Sequence, residues 1–189
     1  MALTPTTDIP LGFEAPSFSL PDVVSGRVLD AAELFAGGPT VVVFMCNHCP
    51  YVVHVLEGLV SFAQDYQPRG LNFLAISSND VAAYPQDGPE AMKALAETHA
   101  FSFPYLFDED QTVARAYDAA CTPDISVFDE NRTCVYRGQF DASRPGNDQP
   151  VTGADLRRVV DLLLAGLPVP AEGQIPSIGC NIKWKPAQP

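Results

Sequence analysis

Two patterns alternate along the chain: short runs that are apolar at every position, and longer stretches whose apolar residues recur every three or four places. Residues 41–45 read Val-Val-Val-Phe-Met, and a second run at 71–76 is broken by Ser77-Ser78-Asn79-Asp80. A run that is apolar on both faces predicts a strand buried in the middle of a sheet. Between the two runs, Val52, Val53, Leu56, Leu59, Val60 and Ala63 fall at helical spacing. They predict a helix over 50–66, with Pro50 in the first turn, where a missing N–H is tolerated, and Pro68 and Gly70 ending it.

The remaining elements fill in around this unit. Residues 17–20 alternate in polarity and 27–29 follow Ser25-Gly26, which predicts a small hairpin. Asp30 is placed to cap a short helix through 35, stopped by Gly37-Gly38-Pro39. Residues 79–88 read as an insertion, 89–100 as an amphipathic helix, 103–107 as a short strand and 110–117 as a short helix. Residues 125–128 and 133–137 flank the turn-rich 129–132 and predict a second hairpin, followed by a polar surface loop over 138–152. Thr152 is placed to cap a last helix over 153–165, with Leu156, Val159, Val160, Leu163 and Leu164 on its core face. Residues 1–16 read as an irregular N-terminal arm, and 166–189 as a Pro-rich tail ordered only by docking on the body. The whole chain, 1–189, reads as one α/β domain: a central mixed sheet flanked by helices on both faces, with right-handed crossovers.

Composition narrows the function classes. The 189 residues suffice for one sizeable core, and 47% are apolar against 18% charged, ordinary values for a globular chain. The formal net charge of −12 argues against a nucleic-acid partner, because phosphate binding needs clustered Lys and Arg. The N-terminal stretch lacks the basic and apolar regions of a secretory signal, and no apolar run is long enough to span a bilayer. The expectation is a cytoplasmic protein with no membrane partner. Five cysteines, Cys46, Cys49, Cys121, Cys134 and Cys180, are an odd number at irregular spacing, unlike a secreted disulfide framework.

One close pair among them carries the chemistry. The first apolar run leads straight into Cys46-Asn47-His48-Cys49-Pro50. Cys-x-x-Cys between a strand and a helix reads as a redox pair, because helix N–H groups and the helix dipole stabilise a thiolate there. Cys46, at the exposed end of the turn, is the expected nucleophile, and Cys49, one turn further in, resolves the mixed disulfide. His48 lies between them. A protonated imidazole beside the pair lowers the thiol pKa and stabilises the reduced form, which makes the disulfide a stronger oxidant. The other reading of His48 is a solvated turn residue.

These residues resemble a known group. Val43 through Pro50, Thr122-Pro123 ahead of 125–129, and the extra segment between the two strand–helix units resemble thioredoxin-fold redoxins related to alkyl hydroperoxide reductase/thiol-specific antioxidant proteins. The likeness spans residues 11–165 and is greatest to bacterial peroxiredoxin-like proteins with Cys-Asn-His-Cys-Pro-Tyr-Val and a terminal Gly-Cys-Asn-Ile-Lys-Trp-Lys, here Gly179 to Lys185. It implies a thioredoxin-like fold and an antioxidant thiol–disulfide oxidoreductase that needs no metal or other cofactor. It also implies a cis Pro123 that, with Thr122 and Pro50, shapes a substrate groove and leaves the preceding backbone free to pair with a bound peptide. The implied partners are protein or small-molecule thiols and disulfides, peroxides as a further class, and an external thiol reductant.

The chain departs from both parent patterns. Thr40 stands where thioredoxins carry a buried acid, six residues before the first cysteine, which leaves proton uptake to Glu14 or to water. Val43 stands where peroxiredoxins carry Thr or Ser, and Pro123 stands where they carry arginine, six residues before Asp129. Arg137 is then either a spatial substitute or a surface salt bridge. Disulfide exchange is favoured over the alternative, a thiol peroxidase in which Cys46 forms a sulfenic acid that Cys49 resolves. A second alternative is a Cu or Zn carrier using Cys46, Cys49 and a distant His or Cys. His54 and His99 read as surface or packing residues, Cys134 as a small buried hydrophobe, and Cys121 as a bystander or regulatory thiol near the pair. Cys180 is a candidate third thiol: Ile178, Ile182 and Trp184 would anchor the tail, Lys183 and Lys185 would raise its local potential, and the thiol would exchange with the pair if the tail reaches it.

Overall fold

In the computed structural model, which describes residues 3–186, the chain opens with three short strands, β1 (Leu3–Pro5), β2 (Ser19–Pro21) and β3 (Val28–Asp30), and a one-turn helix, α1 (Ala31–Leu34). The apolar runs and the helix between them follow as β4 (Thr40–Phe44), α2 (Pro50–Tyr66) and β5 (Asn72–Ser77). Next come α3 (Pro89–Thr98), β6 (Tyr105–Phe107), α4 (Thr112–Ala116), β7 (Cys121–Thr122) and β8 (Asp124–Phe128). The chain ends with β9 (Cys134–Arg137), α5 (Ala154–Leu164) and β10 (Ile178–Asn181).

The main sheet has the order β6-β5-β4-β8-β9. β4 pairs parallel with β5 and antiparallel with β8, so both its edges are covered and all five of its residues are buried. Its alternate side chains feed two cores. Val41 and Val43 pack with Val52, Leu56, Leu59 and Phe62 of α2 and with Leu156 and Val160 of α5. Val42 and Phe44 pack on the opposite face with Leu20, Leu29, Phe35, Val113 and Tyr117. Each such buried side chain contributes about 1.5–3 kcal/mol of transfer free energy. The strand and helix that flank Cys46–Cys49 are thereby clamped from both sides. The expected mixed sheet with helices on both faces is the observed one.

Two segments differ from expectation. The arm over 1–16 contains β1, which pairs antiparallel with β10; β10 pairs in turn with β7, making a second sheet of order β1-β10-β7. A three-residue strand carries no periodicity of its own, and its partner here is supplied by the opposite end of the chain. The cap of α5 also differs. Gly153 takes the left-handed cap position (φ 66°), and Asp141 accepts the N–H groups of Thr152 and Gly153, both at 2.6 Å. Burial opposes the charge on Asp141, but hydrogen bonds from Ser143, Gly153 and Thr152 outweigh it and hold its carboxyl below the usual range. Thr152 Oγ1 itself accepts the Ala154 N–H at 3.3 Å, so the threonine keeps part of its expected role from one residue before the cap, and Asp141 holds the approach to the helix.

Candidate active site

β4 delivers the chain to Cys46 and α2 takes over at Pro50. Cys49 is the N-cap residue of α2, with an extended backbone (φ −69°, ψ 122°), and Pro50 sits in the first turn. The Cys49 sulfur therefore lies among the unpaired N–H groups of that turn, with the Val52 N–H directed to it. Pro50 is exposed, while Asn47 and His48 are half-buried. The thiols themselves lie beneath them, Cys46 1% and Cys49 0% exposed. Cys46 was expected at the exposed end of the turn; Thr122, His48 and the 79–88 segment cover it instead.

The Thr122–Pro123 peptide is cis and faces the pair. Thr122 Oγ1 is 3.6 Å from Cys46 Sγ, and the Cys49 thiol donates to the Thr122 carbonyl at 3.0 Å. Pro123 is buried beside Tyr51, His54 and Val55, across a cavity of about 20 Å³ with room for one water. The backbone of Thr122 is not free: it pairs with Cys180 of β10, and the other edge of β10 pairs with β1. The place expected for a bound peptide is filled by the chain's own tail.

The two thiols are coupled. With Cys46 donating to Cys49, that hydrogen bond holds the Cys49 thiol at about 4 against the opposing effect of burial, helped by hydrogen bonds from Thr122, Cys180 and the Val52 N–H. The same hydrogen bond, burial and the nearby Asp87 carboxylate push Cys46 far up. The pair thus releases one proton readily and keeps the other. The Thr122 carbonyl works in the opposite direction, since it accepts a proton only from a protonated Cys49. One negative charge is shared across the two sulfurs.

Asp87 is the residue that sequence reasoning missed. It is fully buried, and Oδ1 accepts the N–H of Asn47 at 2.9 Å and of His48 at 3.3 Å. Its Oδ2 is 2.6 Å from His48 Nδ1 and accepts from Asn79 Nδ2 at 2.8 Å. The same His48 Nδ1 is 3.9 Å from Cys46 Sγ. The carboxylate fixes the Cys-x-x-Cys turn by its backbone and its imidazole together, which removes the solvated reading of His48. The ring is further stacked on Tyr84, centroids 5.4 Å apart and planes 6° apart. The only signal in the sequence was that 79–88 interrupts the strand–helix pattern; nothing local told which of its two aspartates, Asp80 or Asp87, turned toward the cysteines.

The other candidates fall as follows. Cys180 is buried in the same core cluster as Cys49, and its thiol is pushed up to about 12 by burial first and by its interaction with Cys49 second. Cys121 is buried beside Thr6, Asp124 and the Pro123 carbonyl, and burial pushes its thiol up. Cys134 sits in the opposite core, its thiol directed to the Tyr136 carbonyl. Glu14 is exposed and bridges to Thr133, level with the start of β4 rather than with the cysteines at its end, so it is too far to serve them. Arg137 is no surface salt bridge. It is buried, donates to the carbonyls of Tyr117 and Asp118 and to Thr7 Oγ1, and lies 3.9 Å from Asp124. His99 stands just past α3 against Glu57, and His54 is half-buried in α2. Cys46, His48 and Asp87 have ligand atoms within 4.8 Å of one another. An ion there would have to displace the hydrogen bonds that already occupy both oxygens of Asp87.

A family profile described as AhpC/TSA family matches residues 11–137. The chain belongs to that family. No curated protein matches it. Among solved structures, a conserved protein from Geobacillus kaustophilus, itself described as uncharacterized, is 53% identical with a TM-score of 0.97, covering 100% of this chain and 99% of that one. Two others share the fold alone. Peroxidoxin BcpB from Mycobacterium tuberculosis has a TM-score of 0.62 at 18% identity, covering 82% of this chain and 96% of its own. A thiol:disulfide interchange protein of the thioredoxin family from Chlorobium tepidum TLS has 0.62 at 20%, covering 84% and 99%. The AhpC/TSA chain described here is therefore a thioredoxin-like α/β protein of the redoxin group.

Proposed function

We propose that this AhpC/TSA protein is a cytoplasmic thiol–disulfide oxidoreductase in which Cys46 attacks and Cys49 resolves. The observation that supports it best is the placement of two buried thiols at the start of α2 against the cis Thr122–Pro123 peptide, Cys46 Sγ 3.6 Å from Thr122 Oγ1 and the Cys49 thiol 3.0 Å from the Thr122 carbonyl. Passing the remaining proton from Cys46 to Cys49, whose thiol then donates to the Thr122 carbonyl, moves the charge onto Cys46. The Cys46 thiolate attacks a substrate disulfide, forming a mixed disulfide and expelling one thiolate. Cys49 then attacks Cys46 Sγ, forming the Cys46–Cys49 disulfide and expelling the second thiol; the substrate gains the two electrons the protein loses. His48, fixed by Asp87, holds Nδ1 3.9 Å from Cys46 Sγ, and Thr122 and Pro123 close the inner wall. A small disulfide suits this mouth better than an extended protein segment, because β10 already fills the strand position beside Thr122. An external thiol returns the pair to its reduced state.

Peroxide reduction is the weaker reading for this site. Val43 is buried inside β4, Pro123 is the cis residue, and the guanidinium of Arg137 is committed to Tyr117, Asp118 and Thr7. The test is equilibration of the pair against glutathione buffers, with mixed disulfides trapped in Cys49→Ser. The expected outcome is a two-electron transition with a glutathione adduct on Cys46. Turnover of hydrogen peroxide at Cys46 faster than reduction of a small disulfide would overturn the proposal.

A further inference from the structure

Of the three cysteines outside the pair, Cys180 is the one whose backbone is paired against Thr122, the residue that both thiols of the pair touch. We propose that Cys180 is the third thiol of the redox centre: it takes over the internal disulfide as Cys49–Cys180 and returns Cys46 to the thiol state. This deepens the oxidoreductase reading and rests on it.

The geometry starts with backbone pairing. Cys180 is the register partner of Thr122, the residue whose carbonyl lies 3.0 Å from Cys49 Sγ and whose hydroxyl lies 3.6 Å from Cys46 Sγ. β10 thus occupies the place of an added substrate strand and presents a cysteine at the position facing the pair. The approach is possible because residue 179 is glycine. A Cβ there would stand 1.9 Å from the Thr122 carbonyl oxygen. Cys180 shares the core cluster of Cys46 and Cys49.

The tail holds the thiol in place. β1 covers the outer edge of β10, and Ser177 Oγ donates to the Gly138 carbonyl at 2.7 Å. Beyond the strand, the Lys183 N–H donates to Asn79 Oδ1 at 2.8 Å, and Gln111 Nε2 donates to the Lys183 carbonyl at 2.9 Å. Arg115 lies over the Trp184 ring, 4.5 Å from its centroid. A thiol fixed beside its target reacts at a high effective concentration.

The exchange balances without any added reagent. The Cys180 thiolate attacks Cys49 Sγ, the Cys46–Cys49 bond breaks as the Cys49–Cys180 bond forms, and Cys46 leaves as thiolate and takes up the proton that Cys180 lost. The electrostatics order the steps. While the pair is reduced, burial first and then the interaction and charge at Cys49 hold the Cys180 thiol protonated, at about 12. Oxidation of the pair removes that charge, and the Lys183 ammonium then favours ionised Cys180. Burial persists, so disulfide formation eases the ionisation of the third thiol by removing the Cys49 contribution alone.

The test oxidises the reduced full chain with one equivalent of oxidised glutathione, quenches in acid, alkylates the free thiols and maps bridges by mass spectrometry of peptides. Wild type is expected to show both Cys46–Cys49 and Cys49–Cys180, and Cys46→Ser an internal Cys49–Cys180 bridge. Cys180→Ser is expected to show only Cys46–Cys49, with alkylation of Cys46 in its oxidised form down by at least about tenfold. Cys180→Ala, which keeps the buried site apolar, must give the same result. A Cys46→Ser protein carrying only glutathione adducts, with Cys46 labelling unchanged in both Cys180 variants, overturns this inference and leaves the exchange at the outer pair standing. Absence of a Cys46–Cys49 bridge in the wild type and in both Cys180 variants would sink the oxidoreductase reading and this inference with it.

Discussion

The closest backbone approach at the site lies between Gly179 and Thr122, and adding one methyl group there tests the docking of the tail. In Gly179→Ala the new Cβ would stand 1.9 Å from the Thr122 carbonyl oxygen, 2.6 Å from its carbon and 3.2 Å from the Pro123 nitrogen. Ordinary C···O contacts are about 3.3–3.6 Å, so the two backbones must part by roughly 1.5 Å. Neither side yields easily. Thr122 precedes the cis peptide and its carbonyl accepts from Cys49, while β10 is held on its far edge by β1. Overpacking of this kind costs about 1–3 kcal/mol. Urea unfolding of the reduced protein should show that loss, and native-state alkylation of Cys180 should speed up by about tenfold or more as the strand lifts. A variant within about 0.5 kcal/mol of wild type, with unchanged Cys180 labelling, would refute the claim that β10 lies tightly on Thr122.

Two further outcomes follow from the site. Asp87→Ala strips the acceptor from the Asn47 and His48 N–H groups, the imidazole and Asn79; stability should fall by about 3 kcal/mol in urea unfolding. Removing the carboxylate also removes one influence that raises Cys46, so iodoacetamide should label Cys46 faster at neutral pH; an equally stable variant would show that the turn does not depend on Asp87. The pH dependence has a definite sign. Cys49 is held at about 4 in the reduced fold, chiefly by the hydrogen bond from Cys46, against an ordinary value of 9.0, so between these values the unfolded chain binds a proton that the folded one lacks. The stability of the reduced form relative to the disulfide form should therefore rise with pH across that window and be lost as pH falls toward 4. Above 9.0 the raised Cys46 reverses the slope. Urea unfolding of both forms at about pH 5 and pH 8 measures it, and a pH-independent difference would contradict the coupling.

Much of the scaffold was legible in local pattern. The helix expected over 50–66 is α2, Pro50–Tyr66, because a long amphipathic stretch bounded by Pro and Gly leaves few alternatives. The strand expected at 41–45 begins one residue earlier, at Thr40, where pairing with Asn72 and Phe128 overrides the polarity of the threonine. Other helix and strand ends moved by one or two residues for the same reason: the last bond of an element depends on its neighbour. The inward turn of Asp87, the buried cluster around Arg137 and the strand at Leu3–Pro5 had no such signature. Each takes its form from a partner far away in the chain.

The sequence by itself determined which residues are the candidates for chemistry here: two cysteines two residues apart, at the junction of a buried strand and a helix, with His48 between them and, by the family resemblance, Thr122-Pro123 opposite. Periodicity reports which face of an element is apolar, and a cysteine pair before a helix start places thiols at its N–H groups whatever surrounds them. Only the tertiary structure decided what surrounds them. It buried both thiols, set Asp87 against the turn from the 79–88 segment, and laid β10 across Thr122 so that Cys180 meets Cys49. Those contacts join residues from distant parts of the chain, and local pattern carries no information about which distant segment will satisfy a given edge, donor or charge.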